Sequence, residues 1–299
     1  MDAMNAMRRK GVSRRNFLAG LGCTAGATVA MAVAGCGGSS TQTTPPSNPN
    51  PAITDADILN FALNLEYLEA EFYLRATTGM GLSSSDTGSS AGSVTGGAQV
   101  AFKTPAIQEY ANEIANDEQA HVRFLRKALG SSAVARPEID FTDAFNAAAS
   151  AAGIGPSFNP FADEDSFILG AFVFEDVGVT AYHGAAGLLS STTNLGAAAA
   201  IMAVEAYHAG EIRTLIAQRG GNSVTYANQI SMLRATAGGG KETSVSASTI
   251  VAADTNSIAY DRTTDQVLHI VYLSAQAGVV KSGGFFPKGL NGTITATAS

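Results

Sequence analysis

Two short patterns in this chain set a carboxylate and an imidazole one helical turn apart: Glu118 and His121 in "ANDEQAHVRFL", and Glu205 and His208 in "AVEAYHAGEI". Residues three apart share a helix face, so each pair offers an oxygen and a nitrogen ligand side by side. Two such helices, joined by two more that each contribute one Glu, make the ligand set of a dinuclear metal site in a bundle core. Glu66 in "LNLEYLEAEFYL" and Glu175 in "FVFEDVGV" supply the remaining carboxylates. Both interrupt apolar stripes, Glu66 among Leu59, Leu63, Ala70 and Tyr73, and Glu175 among Ile168, Phe172, Val179 and Tyr182. Each unpaired carboxylate buried in one core is costly, and a pair of cations removes that cost. The competing reading rotates these helices and leaves their Glu and His solvated, the usual fate of Glu.

Several neighbours stay outside the expected ligand set. Glu69, one turn beyond Glu66, has two readings, an alternative ligand or a support for one, and the favoured one, a surface residue facing Arg75 or solvent; Glu211 and Arg213 read as a solvated face. Tyr73 and Tyr182 point into the same core as Glu66 and Glu175, where they pack or hydrogen-bond a ligand. His183 is offset from the site, and His269 falls in the tail.

The elements that must position these residues are helices. Thr54, with Asp57 three residues on, forms a capping-box pattern that opens a first helix running to about Ala76. Thr104-Pro105 gives an N-cap and an N1 proline for a second helix, stopped by Gly130 after Leu129. The acidic cluster Asp163, Glu164 and Asp165 opens a third helix to about Leu189, and a fourth runs from about Leu195 to Arg219, ended by Gly220-Gly221. The stretch between the first two helices is rich in Gly and Ser and reads as a surface loop. Some thirty residues separate the second and third helices, with at most a short helix near Phe141 to Ala152. An all-α bundle with a long crossover between helices two and three follows, over residues 54–220. Residues 221–299 form a C-terminal extension in which Thr263 and Gln266 cap a further helix to about Ala275, packing outside the bundle.

The N-terminus reads as an address. Arg14 and Arg15 in Ser13-Arg14-Arg15-Asn16-Phe17-Leu18, followed by an apolar stretch to Ala34, resemble a twin-arginine export signal. Val33-Ala34-Gly35-Cys36 resembles a lipobox, which makes residues 1–35 a signal peptide and Cys36 the lipidated first residue. Residues 36–53 then form a Ser/Thr/Pro/Asn tether. The reading is of an exported protein of the periplasm or cell envelope, anchored to a membrane by lipid. Cys23 falls in the signal and Cys36 carries lipid, so neither a disulfide nor a thiolate metal site is available.

The 299-residue chain carries a formal net charge of -7, and cleavage of the signal removes five basic residues against one Asp. Such a surface excludes nucleic acid as a partner and suits small cations.

The helix segments "NLEYLEAEFYL" and "DEQAHVRFL" are similar to those of ferritins. The chain as a whole resembles the ferritin-like domain family that includes the desiccation-related proteins, over roughly Asp55 to Arg219 and again in "YDRTTDQVLHIVYL" and "GGFFPKGLNG". The resemblance implies a ferritin-like four-helix bundle with two iron ions, or manganese, held by Glu66, Glu118, His121, Glu175, Glu205 and His208. A dinuclear centre of this kind handles O2 or peroxide, as a ferroxidase, peroxidase or catalase-like protector. The alternative is a non-enzymatic stress-related scaffold on the same bundle. A lipid anchor and tether disfavour a closed cage and favour a monomer or small oligomer.

Overall fold

A computed structural model describes residues 53–275 and 278–298. The export signal with Arg14 and Arg15, the lipidated Cys36 and nearly all of the tether lie outside the described residues. Thr54 and Asp57 close the expected capping box, Thr54 Oγ1 accepting from the Asp57 amide while the Asp57 carboxylate accepts from the Thr54 amide. The helix they open, α1 (Asp55–Thr78), ends on Gly79 in the left-handed conformation, φ 77°. The loop that follows holds a single turn, α2 (Ser84–Thr87), and a two-residue strand, β1 (Val94–Thr95). After it come α3 (Pro105–Leu129), β2 (Ile139–Asp140), α4 (Asp143–Ala152), α5 (Glu164–Ala186) and α6 (Thr192–Arg219). β1 pairs with β2 in parallel, Val94 opposite Ile139, so the first loop and the crossover fasten each other.

α1 packs along α3, α5 packs along α6, and α1 also meets α5. The two kinds of helix differ in how much they bury. α3 and α6 turn one face inward, whereas α1 and α5 are buried nearly all round. A helix enclosed on every side needs cover beyond its bundle neighbours. The crossover and the extension supply it: Phe72 of α1 lies among Phe141, Phe145 and Phe161 of the crossover, and Phe285 of the extension packs on Phe145 and Phe174. Asn64 on α1 donates to the Asn291 carbonyl and accepts from the Asn291 amide, tying the extension's last segment to the bundle.

The extension is more helical than the sequence reading allowed. Gly220, at φ 64°, ends α6, but α7 (Gly221–Ala237) starts at once in a new direction. The glycine pair marks a corner rather than the end of helix. α8 (Thr264–Val271) begins on the expected Thr263/Gln266 capping box and packs on α5 and α7, ending four residues earlier than read.

Arg213 is not on a solvated face. It is buried, donating to Asp176 Oδ2 at 2.8 Å and to the carbonyls of Thr243 and Ile250. Arg234 donates to the same Asp176 oxygen and to Glu242, whose other oxygen accepts from Arg262. This buried chain of alternating charges clamps the extension onto α5, and its charge partners come from sequence positions no helix pattern connects.

Candidate metal centre

α1, α3, α5 and α6 each turn one Glu toward the middle of the bundle, and Glu66, Glu118, Glu175 and Glu205 are fully buried. His121 and His208 follow one turn after Glu118 and Glu205 and lie nearly as deep. Ligating atoms gather into two groups of four, each within 4.8 Å: Glu66, Glu118, His121 and Glu205 in one, Glu118, Glu175, Glu205 and His208 in the other. Glu118 and Glu205 belong to both. All six residues singled out in the sequence are thus brought together, and the geometry places the two shared carboxylates between two ligand sets.

The contacts inside the cluster are close but unbonded. His121 Nδ1 stands 3.2 Å from Glu66 Oε2 and 3.4 Å from Glu205 Oε1, and His208 Nδ1 stands 3.0 Å from Glu118 Oε1. None of these approaches has hydrogen-bond geometry. Both Nδ1 atoms, both oxygens of Glu118 and of Glu205, and one oxygen each of Glu66 and Glu175 lack any partner. Buried polar atoms are rarely left so, and here they face one another. Oxygen and imidazole nitrogen in this ratio suit divalent iron, manganese or zinc. Four ionised carboxylates also balance two divalent cations in charge, so the residues fit a metal pair.

The remaining oxygens are held from behind. Tyr73 of α1 donates its hydroxyl to Glu175 Oε1 on α5, and Tyr182 of α5 donates to Glu66 Oε1 on α1. Each tyrosine sits seven residues after the Glu of its own helix and reaches the Glu of the other, giving the site an approximate two-fold symmetry. Asp117 stands 3.2 Å from His208 Nε2. A carboxylate there accepts a hydrogen bond from the Nε2–H and leaves the Nδ1 lone pair turned toward the cluster, the usual way a ligating imidazole is oriented.

Protonation follows from burial and crowding. Burial raises Glu66 to about 7 and Glu175 to about 8 against the pull of His121 and His208 respectively. Burial and the Glu118 charge push Glu205 well above the usual carboxylate range. Glu118 moves the other way, to about 2, because contacts from His121 and His208 outweigh its own burial. Burial would lower both imidazoles, yet the surrounding carboxylates raise His121 strongly and His208 to about 10. Protons therefore take the place of cations in the metal-free protein.

Two neighbours escaped or contradicted the sequence reading. Glu69 is buried, not a surface partner of Arg75, whose guanidinium pairs with Glu71 instead. α1 is enclosed on all sides, so its second face is as dry as its first. Burial, then the charges of Glu205, Glu118, Glu175 and Glu66, push the Glu69 carboxyl well above the usual carboxylate range. Asp117 was missed altogether. The reciprocal Tyr contacts carried a readable signal, since a Glu followed seven residues later by Tyr occurs in both "EYLEAEFY" and "EDVGVTAY". His183 and His269 lie apart, held at Tyr260 and Ser274 carbonyls.

Residues 54–218 match the pattern that defines the family described as "Ferritin-like domain". The chain is 30% identical over 266 residues to "Ferritin-like catalase Nec2" of Nesocodon mauritianus, covering 80% of this chain and 84% of that protein. It is also 30% identical over 242 residues to "Desiccation-related protein PCC13-62" of Craterostigma plantagineum, covering 72% of this chain and 76% of the relative. The chain belongs to the ferritin-like domain family.

Proposed function

We propose that this protein is a redox metalloprotein of the cell envelope that holds two iron or manganese ions and removes peroxide in a catalase-like reaction. The observation that carries this reading is the pair of ligand quartets sharing Glu118 and Glu205. In it, Glu66 and His121 would hold one ion and Glu175 and His208 the other, with Glu118 and Glu205 available to both. When bound, such a pair of ions would supply a two-electron change of oxidation state and Lewis acidity. The chain's own residues fix where this happens. The Tyr73 and Tyr182 hydroxyls orient the terminal carboxylates and reduce their basicity, and Asp117 sets the His208 tautomer. Full burial of the four Glu excludes bulk water from the carboxylate ligands.

The relative named a catalase favours peroxide as substrate, with two peroxides giving one dioxygen and two waters. Ferroxidase and peroxidase activity use the same centre and differ in the reductant. Export through the twin-arginine signal and anchoring by lipid on Cys36 complete the proposal and match a role at the cell boundary under oxidative or desiccation stress. Elemental mass spectrometry tests it: the chain should carry about two iron or manganese, lost together in a Glu118→Ala/Glu205→Ala variant, and should release oxygen from peroxide only when loaded. A chain that takes up no metal after reconstitution refutes the centre and leaves a scaffold. Arg14→Lys/Arg15→Lys should block export, and Cys36→Ala should free the protein from the membrane.

A further inference from the structure

Glu69 breaks the two-fold symmetry of the site, because the residue three past Glu175 is Gly178. A Cβ at Gly178 would stand 2.4 Å from Glu205 Oε2 and 3.2 Å from Glu69 Oε1, so the glycine leaves the space into which both carboxylates reach. Glu69 and Gly178 also line a small cavity of about 20 Å³ whose other walls are apolar. That is room for one small molecule. Val173, Ile270 and Phe285 are walls of this cavity and also of a second, about 140 Å³, lined by apolar residues apart from Arg234. The second cavity reaches the surface at the exposed Ala151 and Ala275. Apolar cavities of about 150 Å³ in other proteins stay dry and take up benzene or xenon.

We infer that the two cavities form one apolar passage from the surface at Ala151 and Ala275 to Glu69 beside Glu205, and that dioxygen travels it. The inference rests on the dinuclear reading for its destination. Dioxygen is small, uncharged and needs no hydrogen bonds, whereas a cation or a peroxide would shed its hydration in such walls without replacement. Polar reactants have another approach: the recess of about 450 Å³ between α3 and α6, where Glu113, Asp117 and Glu211 surround His208, shares no wall residue with either apolar cavity. The passage also gives the extension a task, since Ile270, Val271 and Phe285 are walls that the four bundle helices do not supply.

The test uses the metal-free full chain with labelled Val and Ile methyl groups, comparing proton relaxation under oxygen and under nitrogen. Val177, at the inner cavity, and Val173 and Ile270, at the junction, should relax severalfold more under oxygen than Val122 and Ile216, which are buried away from both cavities. Val173→Phe should return Val177 to the level of Val122, and Ala148→Leu, which fills the outer cavity, should do the same should the larger residue prevent folding. The inference is overturned when Val177 relaxes like Val122 in the unaltered chain, or stays enhanced in either folded variant. Metal content is measured separately on the same preparation, so failure of the dinuclear reading and failure of the passage are read on different instruments.

Discussion

Replacing Glu205 by Gln separates what this carboxylate does for folding from what it does for metal. In the metal-free protein Glu205 is held well above the usual carboxylate range by burial and by the Glu118 charge, which favours its neutral form. Gln has nearly the same shape and the same zero charge. The metal-free variant should therefore melt close to the parent, within about 1 kcal/mol, as volume-conserving changes do. The loaded protein behaves otherwise. With free metal at about 100 times Kd, each ion that binds only the folded chain adds about 2.7 kcal/mol, or roughly 5 kcal/mol for two. Glu205 belongs to both quartets, so the substitution weakens both ions. In a domain of this size 1 kcal/mol moves Tm by about 2–4 °C, which makes the metal-induced rise roughly 10–20 °C in the parent. Most of that rise should vanish in Glu205→Gln. Differential scanning calorimetry with and without chelator measures both numbers. A variant that melts more than about 3 kcal/mol lower without metal, yet keeps the full metal-induced rise, refutes the shared-ligand argument.

Metal affinity should rise with pH from about 7 to 10, because protons on Glu66, Glu175 and His208, held up to about 7, 8 and 10, must leave when cations enter; calorimetric titration in buffers of different ionisation enthalpy counts them. Raised carboxylates stabilise the metal-free fold fully below their ordinary value of 4.5 and lose that contribution as pH rises through 7 and 8, so metal-free Tm should fall across this range while loaded Tm does not. Tyr73→Phe and Tyr182→Phe each strip a hydroxyl from a buried carboxylate, and each should cost about 1–3 kcal/mol in urea denaturation, with similar values for the two halves of the site. Arg213→Ala leaves Asp176 short of a partner and frees the Thr243 and Ile250 carbonyls, so it should cost roughly 3–5 kcal/mol and open the segment from Thr243 to Ile250 to limited proteolysis.

The candidate site was legible because its signal is local. Glu118 and His121, like Glu205 and His208, announce a shared helix face by spacing alone, and Glu66 and Glu175 stand out as charges set in apolar stripes. Helix ends were legible for the same reason, since Thr54 with Asp57 and Thr263 with Gln266 satisfy backbone groups within four residues of chain.

What only the tertiary structure decided concerns groups whose partners lie far along the chain. Glu69 on α1 and Arg213 on α6 sit on helix faces that read as exposed, and they are buried because the extension covers those faces from outside the bundle, Ile270, Val271 and Phe285 beside Glu69 and the Thr243 and Ile250 carbonyls on Arg213. The Tyr73–Glu175 and Tyr182–Glu66 contacts, separated by about a hundred residues, depend on how α1 and α5 are rotated against each other. The sharing of Glu118 and Glu205 between two quartets likewise depends on the depth at which α3 and α6 pack. Periodicity tells which side of a helix is apolar, but not how many sides the rest of the chain will enclose.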